Sequence, residues 1–150
     1  MRALGIDHGE RRLGIAVSDA SKTLARPLTV IERKGSDARA LEALLDLIHA
    51  AEADDGSLDL IVVGLPRRLD GTPNERTERV AAFVRALQAR TAIAVVTEDE
   101  HLSSREAESR LAGRHKHWRA RKARLDAASA AVILQDYLDR IAGPGGVSGV

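Results

Sequence analysis

Apolar and polar residues along the chain form short segments of alternating or continuous apolar character, then longer ones with a helical period. Residues 2–7 make an apolar run that ends on Asp7, and residues 12–18 a second in which Leu13, Ile15 and Val17 alternate with smaller residues. Between them His8-Gly9-Glu10-Arg11 reads as a hairpin turn, with Gly9 as the residue able to take positive φ. Leu24 to Ile31 predicts a third strand, and Pro27 within it argues for an edge position or a bulge. Three strands with short links predict an antiparallel meander.

The pattern then changes. Ser36 is placed to cap a helix running to about Ala53, because Leu41, Leu44, Leu45 and Ile48 recur on one helical face, and Asp55-Gly56 stops it. Leu58 to Val63 is nearly continuous in apolar residues, as expected of a strand covered on both faces. Gly64-Leu65-Pro66 and Asp70-Gly71-Thr72-Pro73-Asn74 punctuate an irregular loop. Asn74 is a candidate cap for a helix carrying Val80, Phe83, Val84 and Leu87. Ile93 to Val96 predicts another buried strand. A helix from Ser103 or Ser104 is expected to break at Gly113, and residues 114–124 lack an apolar period, so they read as a loop or a solvated helix start. From Ala123 to Ile141 a long helix rich in small residues is able to lie close against a sheet. Gly143-Pro144-Gly145-Gly146 ends it, leaving residues 143–150 as a frayed tail. Strands, then helix, strand, helix, strand and terminal helices imply one α/β layered domain over residues 1–142 with a mixed five-stranded sheet flanked by helices. In that architecture the ends of the first and central strands lie side by side, and Asp7 and Gly64 share a crevice.

A chain of 150 residues is large enough for one such core. Only 2% of residues are aromatic, so Leu, Ile, Val and Ala must build the core, and a platform for stacking unpaired bases is not to be expected. There is no cysteine, which excludes disulfides, thiolate nucleophiles and thiolate metal sites. An acidic residue at position 7 and the lack of a long apolar run predict neither signal peptide nor membrane span, hence a cytoplasmic protein. Net charge is only +1, yet its distribution is uneven. Residues 101–124 hold eight Lys and Arg against Glu106 and Glu108, whereas residues 32–60 hold eight acids against three bases. The basic region is suited to attract phosphates.

Three acids stand out against this background. Asp7 ends an apolar strand, Glu100 follows another, and Asp126 lies near the start of an otherwise apolar helix. A carboxylate in such a place needs a partner, because burying it alone costs several kcal/mol or forces protonation. Asp7 can find one in turn backbone amides, and Asp126 in Arg121 or Lys122. Glu100 can simply be a solvated loop acid. Taken together, the three suit Mg²⁺ or Mn²⁺, hard ions that take oxygen ligands, and such ions serve phosphodiester cleavage.

The motifs are recognisable. Gly5-Ile6-Asp7-His8-Gly9-x-x-Arg12-Leu13-Gly14-Ile15-Ala16-Val17-Ser18-Asp19 resembles the opening motif of the YqgF family, also described as Holliday junction resolvase-like proteins or pre-16S rRNA nucleases. Val62-Val63-Gly64-Leu65-Pro66 with Asp70-Gly71-Thr72 is similar to its central loop. Asp99-Glu100-His101-Leu102-Ser103-Ser104 resembles its Asp-Glu-Arg-x-Thr-Thr segment, and Arg121-Lys122-x-x-Leu125-Asp126-x-x-Ser129-Ala130-x-x-Ile133-Leu134-Gln135 its last motif. The likeness spans about residues 2–139.

The resemblance implies a ribonuclease H-like fold, with Asp7, Glu100 and Asp126 as the acidic triad holding Mg²⁺ or Mn²⁺. It implies a metal-dependent endonuclease acting on four-way DNA junctions or on the 5′ end of precursor 16S ribosomal RNA, and a homodimer where two symmetric cuts are needed. His101 stands where the family has arginine, and Ser103-Ser104 replace threonines; a histidine mostly neutral at pH 7 is a weaker phosphate contact. Arg12 and Lys122 are candidates to approach the scissile phosphate, and His101, Arg119, Arg121 and Arg124 to hold neighbouring ones, although a charged run can equally be a solvated face. Asp99 is a possible auxiliary ligand and Asp19 a possible turn residue. The competing function is a non-catalytic nucleic-acid-binding module acting in transcription or ribosome assembly. A nucleotide-binding cleft of the sugar-kinase type ranks below both, since no second phosphate loop is found.

Overall fold

The computed structural model describes residues 1–33, 36–55, 57–66, 72–99 and 118–142; of Asp55 and residues 118–126 only the backbone is described. The elements follow one another as β1 (Arg2–His8), β2 (Arg12–Ser18), β3 (Ala25–Glu32), α1 (Asp37–Asp55), β4 (Leu58–Leu65), α2 (Glu75–Arg90), β5 (Ala94–Asp99) and α3 (Trp118–Ile141). The strands form one mixed sheet in the order β3-β2-β1-β4-β5. β1, β2 and β3 are the expected antiparallel meander, and β4 and β5 join parallel to β1.

Side-chain alternation on a strand decides which helix each residue meets. On β1 the even positions Leu4 and Ile6 belong to the larger core, with Leu13, Ile15 and Val17 of β2, Leu44 and Ile48 of α1 and Phe83 and Leu87 of α2. The other face carries Ala3, Ala16 and Val62 beneath Ala130, Ile133, Leu134 and Leu138 of α3. Small residues on that face let α3 come close. A Cβ added to Gly5 would lie 2.7 Å from the Leu134 Cβ and 2.9 Å from the Ala130 carbonyl oxygen, so only glycine fits beneath the helix. Asp7, two residues on from Gly5, is on this same α3 face.

Local signals hold the ends of the elements. The Asn74 side chain accepts from the Arg76 and Thr77 amides, and Thr77 Oγ1 accepts from the Asn74 amide at 2.8 Å, a reciprocal capping box. Ser36 Oγ accepts from the Arg39 amide at the start of α1. Asp19 is a turn residue: its Oδ1 accepts from the amides of Thr23 and Leu24, which holds its carboxyl below the usual range. Pro27 is on the edge strand, beside a bulge in the pairing with β2.

Three expectations need correction and one left open is settled. Gly9 does not lie in the left-handed region; among the described residues Lys22, in the β2–β3 turn, is the non-glycine residue with positive φ (55°). Gly9 is required instead because a Cβ there would sit 2.9 Å from the Arg12 carbonyl oxygen. Gly64 and Leu65 continue β4 rather than opening a loop, since Glu98 and Asp99 pair with them. β5 accordingly runs on to Asp99, and it is a half-exposed edge strand rather than a buried one. α3 runs from Trp118, so of the two readings of residues 114–124 the helix start holds from there on and the loop does not, because Arg, Lys and Ala favour helix without needing a core to face. Gly56, the loop 67–71, the helix from Ser103 or Ser104 to Gly113 and the tail 143–150 lie outside the described residues.

Candidate active site

The carboxyl ends of the parallel strands β1, β4 and β5 share one edge of the sheet. The chain leaves β1 toward β2 on one side while β4 lies on the other, the divergence at which α/β sheets form a crevice. Asp7 stands at this edge and is only 8% exposed. Its cross-strand partner in β2 is Gly14. On the other side the pairing of β1 with β4 ends at Ile6 and Val63, one residue before Asp7 and Gly64. Gly64 in turn pairs with Glu98. A buried carboxylate thus faces a residue without a side chain across the β1–β2 ladder, at the point where the β1–β4 pairing ends.

α3 crosses this face where Gly5 meets Ala130. Asp7 lies two residues beyond Gly5, about 7 Å along the strand. Asp126 lies one helical turn before Ala130, about 6 Å along the helix. Both acids are therefore close to the same crossing, one on each layer. The described part of Asp126 is its backbone, and Glu100 lies outside the described residues, one position beyond the end of β5. Among the described residues no three histidine, aspartate or glutamate side chains converge as a metal site.

The turn after Asp7 is heavily bonded. The Gly9 amide donates to the Arg12 carbonyl at 2.8 Å. His8 is 3% exposed, its ring tilted against Phe83 at 4.9 Å between centroids, and Nε2 lies 3.0 Å from Asp37 Oδ1. Burial pushes the His8 pKa down and outweighs the opposing pull of Asp37, whose charge is shared with Arg33. Arg33 and Arg76 also reach this turn through backbone carbonyls.

Of the expected phosphate contacts, Arg12 starts β2, mostly buried, with Nε 3.6 Å from Glu32 of the exposed edge strand. The backbones of Arg119, Arg121, Lys122 and Arg124 form the first two turns of α3, whereas His101 lies outside the described residues. Asp99 ends β5, and neighbouring Glu98 pairs with Arg140, which stacks on Tyr137 at 5.2 Å.

The sequence profile of the RuvX family, described as Holliday junction resolvase, matches residues 1–140. The chain belongs to the RuvX family. A RuvX relative from Burkholderia ambifaria (strain MC40-6) is 41% identical over 138 residues, 92% of this chain and 89% of its own. One from Anaeromyxobacter dehalogenans (strain 2CP-C) is 41% identical over 140 residues, 93% of this chain and 98% of its own. Both carry the name "Putative pre-16S rRNA nuclease". Among solved structures, Thermus thermophilus RuvC in complex with a Holliday junction substrate superposes with a TM-score of 0.58 at 17% identity, covering 95% of this chain and 97% of RuvC. That match establishes the ribonuclease H-like fold. RuvX membership together with this fold makes the chain a nuclease.

Reading the sequence did not single out Arg33, Asp37 or Arg76. No local pattern could have done so, because Arg33 and Arg76 lie 24 and 68 residues from the carbonyls of Gly9 and His8 that they hold.

Proposed function

We propose that this RuvX chain, folded as one domain over residues 1–142, is a cytoplasmic endonuclease that cleaves the 5′ end of precursor 16S ribosomal RNA. The single observation that carries the reading is Asp7, a buried carboxylate opposite Gly14 at the end of the β1–β4 pairing, on the face that α3 covers. RNA comes first because relatives 41% identical over nine-tenths of the chain carry the pre-16S rRNA name. A four-way DNA junction is the second substrate, favoured by the superposition on a junction-bound RuvC. For that substrate the working form is a homodimer, since paired cuts need two sites.

Asp7 fits a hard divalent ion, being an oxygen donor with no side chain opposite it in β2 and little access to water. Asp7, Glu100 and Asp126 would hold Mg²⁺ or Mn²⁺. When bound, such an ion polarises the phosphoryl oxygen, acidifies the attacking water and balances charge on the leaving oxygen. The chain's own part is to bind and orient. Arg12 exchanges Glu32 for a phosphate near the scissile bond, with Lys122 beside it, while Arg119, Arg121 and Arg124 hold the backbone on either side. His101 supplies a weaker contact than the family's arginine.

The test compares the protein with Asp7→Asn on precursor 16S RNA, a four-way junction and duplex controls, with Mg²⁺ and with Mn²⁺. Cleavage should fall to background in the variant while binding is nearly unchanged. A tenfold difference in kcat/KM between RNA and junction, about 1.4 kcal/mol, assigns the substrate class. Binding without cleavage of any substrate by the unaltered protein would instead identify a non-catalytic module.

A further inference from the structure

We propose that Arg33 and Arg76 are positioning residues of this site, which clamp the backbone after Asp7 and so hold its carboxylate in one orientation. The inference rests on the assignment of Asp7 to the active site, but a separate observation carries it. Three consecutive carbonyl oxygens after Asp7 are each held by a guanidinium. Arg76, in the first turn of α2, donates from Nη2 to the His8 carbonyl at 2.6 Å. Arg33, between β3 and α1, donates from Nη1 to the Gly9 carbonyl at 3.0 Å and to that of Glu10.

Carbonyls of a hairpin turn are ordinarily left to water, whose exchange lets the turn rock. A guanidinium offers five donors in a rigid fork, and its charge makes each bond roughly twice as strong as a neutral one. Arg33 is itself fixed: its side chain is 12% exposed, and Nε and Nη2 each lie 2.8 Å from Asp37 Oδ1, the atom that also meets His8 Nε2. Asp37 thus ties the His8 ring and the Arg33 fork to the start of α1, while the Asn74 cap sets the helix turn from which Arg76 reaches. The clamp secures the β1 end to α1 and α2, whereas α3 brings Asp126 to the opposite face. Misplacement by about 1 Å costs on the order of a hundredfold in rate, which is what such a clamp guards against.

The crevice beside the turn is lined by Glu10, Arg33, Arg76, Arg79 and Val80 with His8 and Gly9. Arg79 is exposed and makes none of the clamp bonds, so Arg79→Met removes the same charge from the same helix without freeing a carbonyl.

The experiment compares Arg33→Met, Arg76→Met, Arg76→Lys and Arg79→Met by amide hydrogen exchange at Gly9, Mn²⁺ binding, and kcat and KM. The Gly9 amide reports the turn because it bonds within it. Both clamp methionine variants should raise Gly9 exchange by about tenfold with core amides of β2 unchanged. They should also weaken Mn²⁺ binding by about fivefold or more and lower kcat by about tenfold or more, with KM within about threefold. Arg76→Lys should recover part of each loss, and Arg79→Met should leave exchange and Mn²⁺ binding as they were. Gly9 exchange unchanged in the clamp variants, or an activity loss confined to KM, overturns the proposal. Should Arg33→Met fail to fold, the Arg76 pair decides alone. Asp7→Asn runs alongside: cleavage surviving there sinks the assignment of Asp7, whereas cleavage lost there with an unloosened turn in Arg76→Met sinks the clamp only.

Discussion

Gly5→Ala is the sharpest probe of how closely α3 packs on β1. The added methyl would lie 2.7 Å from the Leu134 Cβ and 2.9 Å from the Ala130 carbonyl oxygen. Carbon atoms prefer about 3.5–4.0 Å, so the contact must open by roughly 0.8 Å. Neither neighbour is the tip of a flexible side chain, so relief requires α3 to withdraw from β1. Overpacking of this kind costs about 1–3 kcal/mol. Replacing glycine by alanine also removes freedom from the unfolded chain, returning about 0.4–1 kcal/mol. The net is a loss of about 1.3 kcal/mol at mid-range, within bounds of about 0–2.6, and at about 2–4 °C per kcal/mol for a domain of this size Tm falls by roughly 3–5 °C. Circular dichroism melts measure that fall. On the proposed joint role of Asp7 and Asp126, the withdrawal should also lower kcat by more than the small unfolded fraction accounts for. A Tm above that of the parent would refute the close approach of α3 to β1.

Other expectations follow from particular bonds. Asn74→Ala frees the Arg76 and Thr77 amides and should lower stability by about 1 kcal/mol in urea unfolding. His8, with its folded pKa pushed below 6.5 by burial, binds its proton less readily in the folded chain than in the unfolded one. Its contribution to stability is therefore fully present above the unfolded pKa and is lost as pH falls from about 6.5 toward the lowered value, at no more than about 1.4 kcal/mol per pH unit. Urea midpoints at pH 7.5 and 5.5 should show a drop that His8→Gln reduces; an equal drop in the variant assigns it to other groups. Lys122→Ala should weaken binding of a four-way junction and of precursor RNA alike and reduce the slope of log affinity against log salt by about one unit; an unchanged slope means Lys122 faces solvent.

What the sequence determined by itself is what depends on near neighbours along the chain. Alternation in residues 12–18, the continuous run in β4, the Asn74 cap and Pro27 each act over a few residues, and each predicted its element or edge. The four motifs carried the family resemblance on the same ground, as spacings that survive in one dimension, and the family profile over residues 1–140 bears it out. Tertiary structure alone decided the rest. Gly64 and Leu65 look like a loop until Glu98 and Asp99 lie beside them. Gly9 looks like a positive-φ residue until the Arg12 carbonyl closes over it. Arg33 and Arg76 are two arginines among many until folding brings them, from 24 and 68 residues away, onto the turn after Asp7. A backbone carbonyl carries no sequence signature. Which distant donor satisfies it is settled only when helices and sheet have packed, because a hydrogen bond depends on distance in space rather than separation along the chain.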